Sequence, residues 1–270
     1  MIIDFHTHIF PDKIAQKTIE LLSQKGGISP FSDGTVEGLL QRMKEAGTEL
    51  SVTLPVLTSP KQFDSVNAFA LQINAQFESQ SPRLISFAGI HPDCEELDKK
   101  MLWIRENGFL GVKIHPDYQA TFIDDEKYVK ILRAAKEYDL IVVSHAGVDG
   151  AYRDTVRCTP ERALKLIRTV RHSKLVLAHM GANEMPEKVL ELLCGEDVYF
   201  DTAYVLRFIG KENFKKIVEK HGEDRILFAT DSPWSNIRDD AELIRSFGLG
   251  KATEEKILRE NAKALLGIRG

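Results

Sequence analysis

Short apolar and β-branched runs alternate along the chain with longer amphipathic stretches. The runs fall at residues 2–5, 50–57, 84–91, 110–115, 140–145, 175–179, 198–203 and 226–230. Each has the length of a strand, and several are apolar almost throughout, as strands covered on both faces are. Helical patterns lie between them, near 60–79, 95–106, 125–138, 160–171, 186–194, 206–220 and 237–247. Ahead of the second run, 11–24 and 36–46 read as two more helices, stopped by Gly26-Gly27 and by Gly47. The Ser-, Pro-, Gly- and Asp-rich stretch 28–35 between them is a loop placed to cover whatever the first strand carries. A last helix is expected over about 254–266, with Thr253 as N-cap and Gly267 just past its end. Strand ends recur roughly every thirty residues, the length of one βα unit. No linker or composition shift divides the sequence. The expectation is an α/β fold, one (β/α)₈ TIM barrel over residues 1–270, with a doubly wound open sheet as the alternative.

The polar residues favour the barrel. His6 and His8 close the first run, two residues apart on a strand whose side chains alternate faces, so Asp4, His6 and His8 should point the same way. His91, His115, His145 and His179 end later runs, and Asp201 and Asp231 stand at the seventh and eighth. One strand-end histidine can simply cap a helix or bond a loop. Their convergence from many strands is what a barrel enzyme does at the mouth formed by its C-terminal strand ends. Nitrogen ligands with one carboxylate and an open position suit a catalytic divalent ion.

The motifs His6-Thr7-His8, Gly111-Val112-Lys113-Ile114-His115-Pro116, His145, Ala178-His179-Met180-Gly181, Phe200-Asp201-Thr202 and Thr230-Asp231-Ser232-Pro233-Trp234 resemble the amidohydrolase superfamily. Together they resemble its amidohydrolase-2 branch, which includes aromatic-acid decarboxylases and lactonases, from residue 2 to about 266. The resemblance implies one metal held by His6, His8, His145 and Asp231, with His179 beside it as acid/base. TatD-type nucleases are similar but carry a glutamate where this chain has Lys113 and an acid where it has Ala229. Some superfamily members carboxylate a strand-four lysine to bridge two metals; Lys113 is read instead as an unmodified cation for a substrate's negative charge.

A metal-activated water, with Asp231 to take its proton, suits hydrolysis of a small carboxylate-bearing lactone, ester or amide. The alternative is non-oxidative decarboxylation of an aromatic or unsaturated acid on the same site. A barrel that only binds a ligand is a third reading, disfavoured because every inferred ligand is retained. Zinc is the expected metal and manganese the second choice. For substrate contacts the sequence offers Lys113 and His115 on one strand face, then Tyr118, Arg153, Arg157 and Trp234. His172 and His221 read as structural or surface residues, and Asp201 as a group that orients a ligand.

Composition adds boundaries. Hydrophobic residues at 43% and charged residues at 28% supply a core and a soluble surface. A net charge of −4 and a pI near 6.1 give no general attraction to nucleic acid or an anionic membrane. Cys94, Cys158 and Cys194 are too few and too far apart for a disulfide framework. No basic and apolar leader precedes the first run, so a cytoplasmic enzyme with a small-molecule partner is expected; a homodimer is compatible with this reading.

Overall fold

The computed structural model describes residues 2–268. Eight parallel strands follow one another: β1 (Ile2–Thr7), β2 (Thr48–Thr53), β3 (Arg83–Ser86, resuming after Phe87 as Ala88–Gly89), β4 (Gly111–Ile114), β5 (Ile141–Ser144), β6 (Leu175–Leu177), β7 (Tyr199–Asp201) and β8 (Ile226–Leu227). Each pairs with its sequence neighbours. At the break in β3, Phe87 N still donates to Thr53 O at 3.0 Å. The last strand returns to the first, with Phe5 N bonded to Phe228 O at 2.9 Å and Asp231 N to His6 O at 2.8 Å. The (β/α)₈ barrel is therefore the fold, and the open sheet is not.

Around it run α1 (Asp12–Gly26), α2 (Val36–Ala46), α3 (Phe63–Phe77), α4 (Leu97–Glu106), α5 (Glu126–Glu137), α6 (Pro160–Val170), α7 (Pro186–Leu192), α8 (Leu206–Ile209), α9 (Lys211–His221) and α10 (Ile237–Ser246). The pattern over 206–220 is split because Gly210 turns with φ 74° between α8 and α9. Thr35, Thr159 and Asn236 cap α2, α6 and α10 through their side chains, with Pro160 in the first turn of α6. The C-terminal helix starts earlier than its cap signal, at Lys251, and passes through a π-helical turn over Lys256–Glu260. Thr253 is no N-cap: inside that helix its hydroxyl bonds Glu223. Gly267 does end the helix, at φ 69°.

Two apolar clusters follow from the strand alternation. Val112, Ile114, Val142, Leu177, Phe200 and Phe228 face the helices, while Ile3, Phe5, Val52, Phe87, Val143, Val176 and Leu227 fill the barrel. Ala262, Leu265 and Leu266 of the last helix join the inner set. Gly111 is a glycine for a packing reason, since a Cβ there would meet Ile141 O at 2.5 Å and the Phe87 ring at 2.6 Å. The inner layer leaves the C-terminal strand ends to polar side chains.

Candidate active site

One expected alignment fails at the start of the chain. The β1–β2 register shifts between Asp4 and Thr7, so simple alternation does not carry through. Asp4 turns away from the histidines: its carboxylate accepts from Thr230 N at 3.0 Å, Thr230 Oγ1 at 2.5 Å and His6 N at 3.3 Å. Burial raises its pKa to about 8 against those bonds. Asp4 thus ties β1 to the end of β8, beneath His6 and Asp231.

His6 and His8 each have one ring nitrogen fixed from behind. His6 Nδ1 lies 2.9 Å from Asp201 Oδ2, and His8 Nδ1 lies 2.8 Å from Leu54 O. An imidazole N–H directed at each acceptor leaves the Nε2 lone pair facing the mouth. There Asp231 Oδ1 is 3.0 Å from His8 Nε2 and 3.5 Å from His6 Nε2. Burial alone would raise the Asp231 pKa, but His6 and His8 outweigh it and hold the carboxyl at about 2. Three lone-pair donors converging, the two imidazoles with their outer nitrogens already bonded, fit a divalent metal ion.

Lys113, 1% exposed, reaches into this cluster with Nζ 3.0 Å from His6 Nε2. Burial lowers its pKa to about 8, opposed by Asp201 and Asp231. Asp201 Oδ1 also accepts from His179 N at 2.9 Å and Ala203 N at 3.1 Å, so Asp201 orients both His6 and the His179 turn. His179 Nδ1 is tied to Ala203 O at 2.8 Å, and its Nε2 lies 2.9 Å from His145 Nδ1. His115 stacks on His145 with ring centres 4.2 Å apart. Burial is the first cause that pushes the His6, His115 and His145 pKa values well down.

Beyond this group, Tyr118 packs edge-on to His115 at 4.6 Å and to Tyr152 at 5.0 Å. Trp234 is buried beside Asp231, its backbone N–H donating to Asp231 O at 2.9 Å. The loop 28–35 does reach the rim: Phe31 N donates to Pro233 O at 2.7 Å. Each of the two arginines faces an acid. Arg153 lies on the surface with its fork on Glu184 at 2.9 and 2.7 Å. Arg157 turns to Asp117, donating its backbone N–H to Oδ1 at 3.0 Å. Because an exposed pair contributes little, Arg153→Ala should leave turnover and Tm near their wild-type values. A loss of an order of magnitude in kcat/KM would put Arg153 back in the site.

His172 and His221 are structural and buried, bonded to Leu140 O at 2.8 Å and Val198 O at 2.9 Å. His91 accepts from Asp93 N at 3.1 Å and joins no ligand group. Sequence reasoning missed Asp117 and Asp149. Asp149 Oδ2 stands 3.5 Å from His115 Nε2, and Asp117 Oδ2 3.7 Å from His145 Nε2. The only sequence signal was an acid shortly after a strand-end histidine. His179, Met180, Tyr204 and Asp231 have positive φ, a conformation that costs energy away from glycine and clusters here at the strand ends.

A parallel barrel with imidazoles and carboxylates gathered at one mouth is the architecture of metal-dependent barrel enzymes. The amidohydrolase family model, of the amidohydrolase-2 type, matches residues 3–268. The chain belongs to the amidohydrolase family. Comparison with curated proteins finds no matching relative. Among solved structures, 2,6-dihydroxybenzoate decarboxylase from Rhizobium superposes with TM-score 0.75 at 16% identity, over 100% of this chain and 99% of that one. A dihydroxybenzoic acid decarboxylase from Polaromonas, with bound manganese and the inhibitor 2-nitroresorcinol, gives 0.74 at 16%, over 100% and 98%. The 5-carboxyvanillate decarboxylase of Sphingomonas paucimobilis gives 0.71 at 14%, over 99% of both chains. At such identities the likeness is one of fold. Among the described residues no helix is long and apolar enough to cross a membrane.

Proposed function

We propose that the chain is a metal-dependent, non-oxidative decarboxylase of a small aromatic or unsaturated carboxylic acid. One observation carries this reading: the buried cation Lys113 lies among the metal-site histidines, 3.0 Å from His6 Nε2. A hydrolase that merely recognises a carboxylate needs its cation away from the reacting bond. The two cations available for that, Arg153 and Arg157, are engaged with Glu184 and Asp117. The carboxylate that pairs with Lys113 is therefore held where reaction occurs, which suits its loss as CO2. Hydrolysis, the first expectation from sequence, becomes the second reading.

His6, His8, His145 and Asp231 would hold the ion, zinc by ligand type or manganese by availability. When bound, it supplies a fixed positive charge that polarises the substrate's oxygen atoms. Lys113 pairs with the carboxylate through its ammonium. As the carbon–carbon bond breaks, CO2 leaves and its electron pair stays on the ring or vinyl carbon. His179, with Nδ1 fixed on Ala203 O, takes a proton from solvent on Nε2 and passes it to that carbon. His115, Tyr118 and Trp234 line the approach.

The test uses protein purified without chelator, assayed for metal and then against a panel of aromatic acids, lactones and amides. CO2 release without uptake of solvent oxygen supports the lyase; ring opening or two fragments carrying solvent oxygen supports the hydrolase. His179→Asn should lower turnover by about 10²–10⁴ while metal content stays near wild type. Loss of the metal in that variant would make His179 a ligand and not the proton carrier.

A further inference from the structure

We infer that His115 and Asp149 form a hydroxyl-reading subsite beside the reacting centre, which takes a phenolic hydroxyl and turns away a second carboxylate. This rests on the decarboxylase reading and deepens it, by making the substrate a hydroxylated aromatic acid.

The pair comes from two elements. His115 ends β4, and Asp149 lies on the loop that follows β5. His115 Nδ1 accepts from Tyr118 N at 3.4 Å. In the neutral ring an accepting Nδ1 leaves the proton on Nε2. Asp149 Oδ2 is 3.5 Å from that nitrogen, a separation at which the two make no hydrogen bond. The other carboxylate oxygen is taken, since Oδ1 accepts from Ala151 N at 2.8 Å. A donor and an acceptor therefore stand side by side with nothing between them, on side chains only 9% and 15% exposed. Polar atoms withdrawn from water in this way are costly until a ligand satisfies them.

One group satisfies both. A hydroxyl oxygen about 2.8 Å from each atom accepts from the imidazole and donates to the carboxylate. A methoxy oxygen accepts but has nothing to give Asp149, and a carboxylate there meets it as a like charge. The walls suit a flat ring, because Tyr118 packs edge-on to His115 at 4.6 Å and to Tyr152 at 5.0 Å. The loop that presents Asp149 is anchored: Gly147 N donates to Cys158 O at 2.9 Å, and Val148 N to Asn183 O at 3.1 Å. Gly147 permits that passage, since a Cβ there would meet Asn183 N at 2.1 Å.

His115, His145 and Asp149 are also close enough together to suggest a second metal ion. The two rings argue against it. They lie stacked, 8° from parallel with centres 4.2 Å apart, so their in-plane lone pairs run side by side and do not converge. The proton on His115 Nε2 also occupies the lone pair that an ion would need.

The test measures binding by calorimetry to protein purified without chelator. The probes are benzoate and its hydroxy-, methoxy- and carboxy-substituted forms at each ring position. At one position the hydroxy acid should bind about 10- to 100-fold tighter than benzoate, and the methoxy and carboxy forms no tighter. Asp149→Asn keeps an oxygen for Ala151 N and puts an amide N–H₂ in place of Oδ2, so the turn survives. In this variant the hydroxyl preference should collapse, and the carboxy acid at that position should bind tighter than it does to wild type. A merely structural role for Asp149 would leave the order of the panel unchanged. The inference is overturned by a hydroxyl preference that persists in Asp149→Asn, by no preference at any position, or by no binding of any probe. Loss of a second equivalent of metal in the variant overturns it too, because the pair would then be ligands. Binding that depends on Asp149 without CO2 release from any hydroxy acid keeps the subsite and sinks the decarboxylase reading.

Discussion

Asp231→Asn should fold and lose turnover by about 10²–10⁴, because the carboxylate that would hold the ion, and in the hydrolase reading take the water's proton, loses its charge. Asp231 Oδ1 is within 3.0 Å of His8 Nε2 and 3.5 Å of His6 Nε2, so its charge is shared by both imidazoles and by any ion they hold. The amide retains one oxygen but not the charge, and metal affinity should fall with turnover. Its backbone is held independently: Asp231 N bonds His6 O at 2.8 Å, and the preceding Thr230 is fixed by Asp4. The loss is therefore chemical and not a failure of folding, which circular dichroism and Tm check. Near-full activity with metal bound would show that the Asp231 charge has no part in the reaction.

Lys113→Met is expected to have opposite effects on activity and on stability. Truncating one partner of a buried charge pair costs about 2–5 kcal/mol, so kcat/KM on a carboxylate substrate should fall roughly 30- to 5,000-fold. In the metal-free protein the same change should stabilise the fold at neutral pH. Burial sets the Lys113 pKa at about 8 in the folded chain against 10.5 ordinarily, so the folded state binds the proton less tightly than the unfolded one. The penalty is complete below about pH 8 and disappears as pH rises toward 10.5. Urea unfolding of both proteins across this range should show the Met variant ahead at pH 7, with its lead shrinking as pH rises. A lead that grows with pH, or activity that survives the change, would remove Lys113 from the reacting centre.

The barrel was legible in the sequence because each of its eight strands is buried on both faces, and burial writes itself as an apolar run. The ends of those runs also marked the mouth, since His6, His8, Lys113, His145, His179 and Asp231 each sit where an apolar run stops. Less visible were effects that local pattern does not encode. By alternation Asp4 should point with His6, yet a register shift in β1 sends it to Thr230. Arg153 and Arg157 look alike as loop cations, and only their distant partners Glu184 and Asp117 separate them.

By itself the sequence determined the alternation of strands and helices, the order of the strands and the set of residues able to meet at one end. Periodicity and residue type are properties of neighbours along the chain, and these conclusions need nothing more. Tertiary structure decided which ring nitrogen of His6, His8 and His179 is tied, through Asp201 and the Leu54 and Ala203 carbonyls. It also decided that the Lys113 side chain is buried with its Nζ beside His6. A ring's tautomer and a cation's counter-charge depend on atoms that are neighbours only after the barrel has closed.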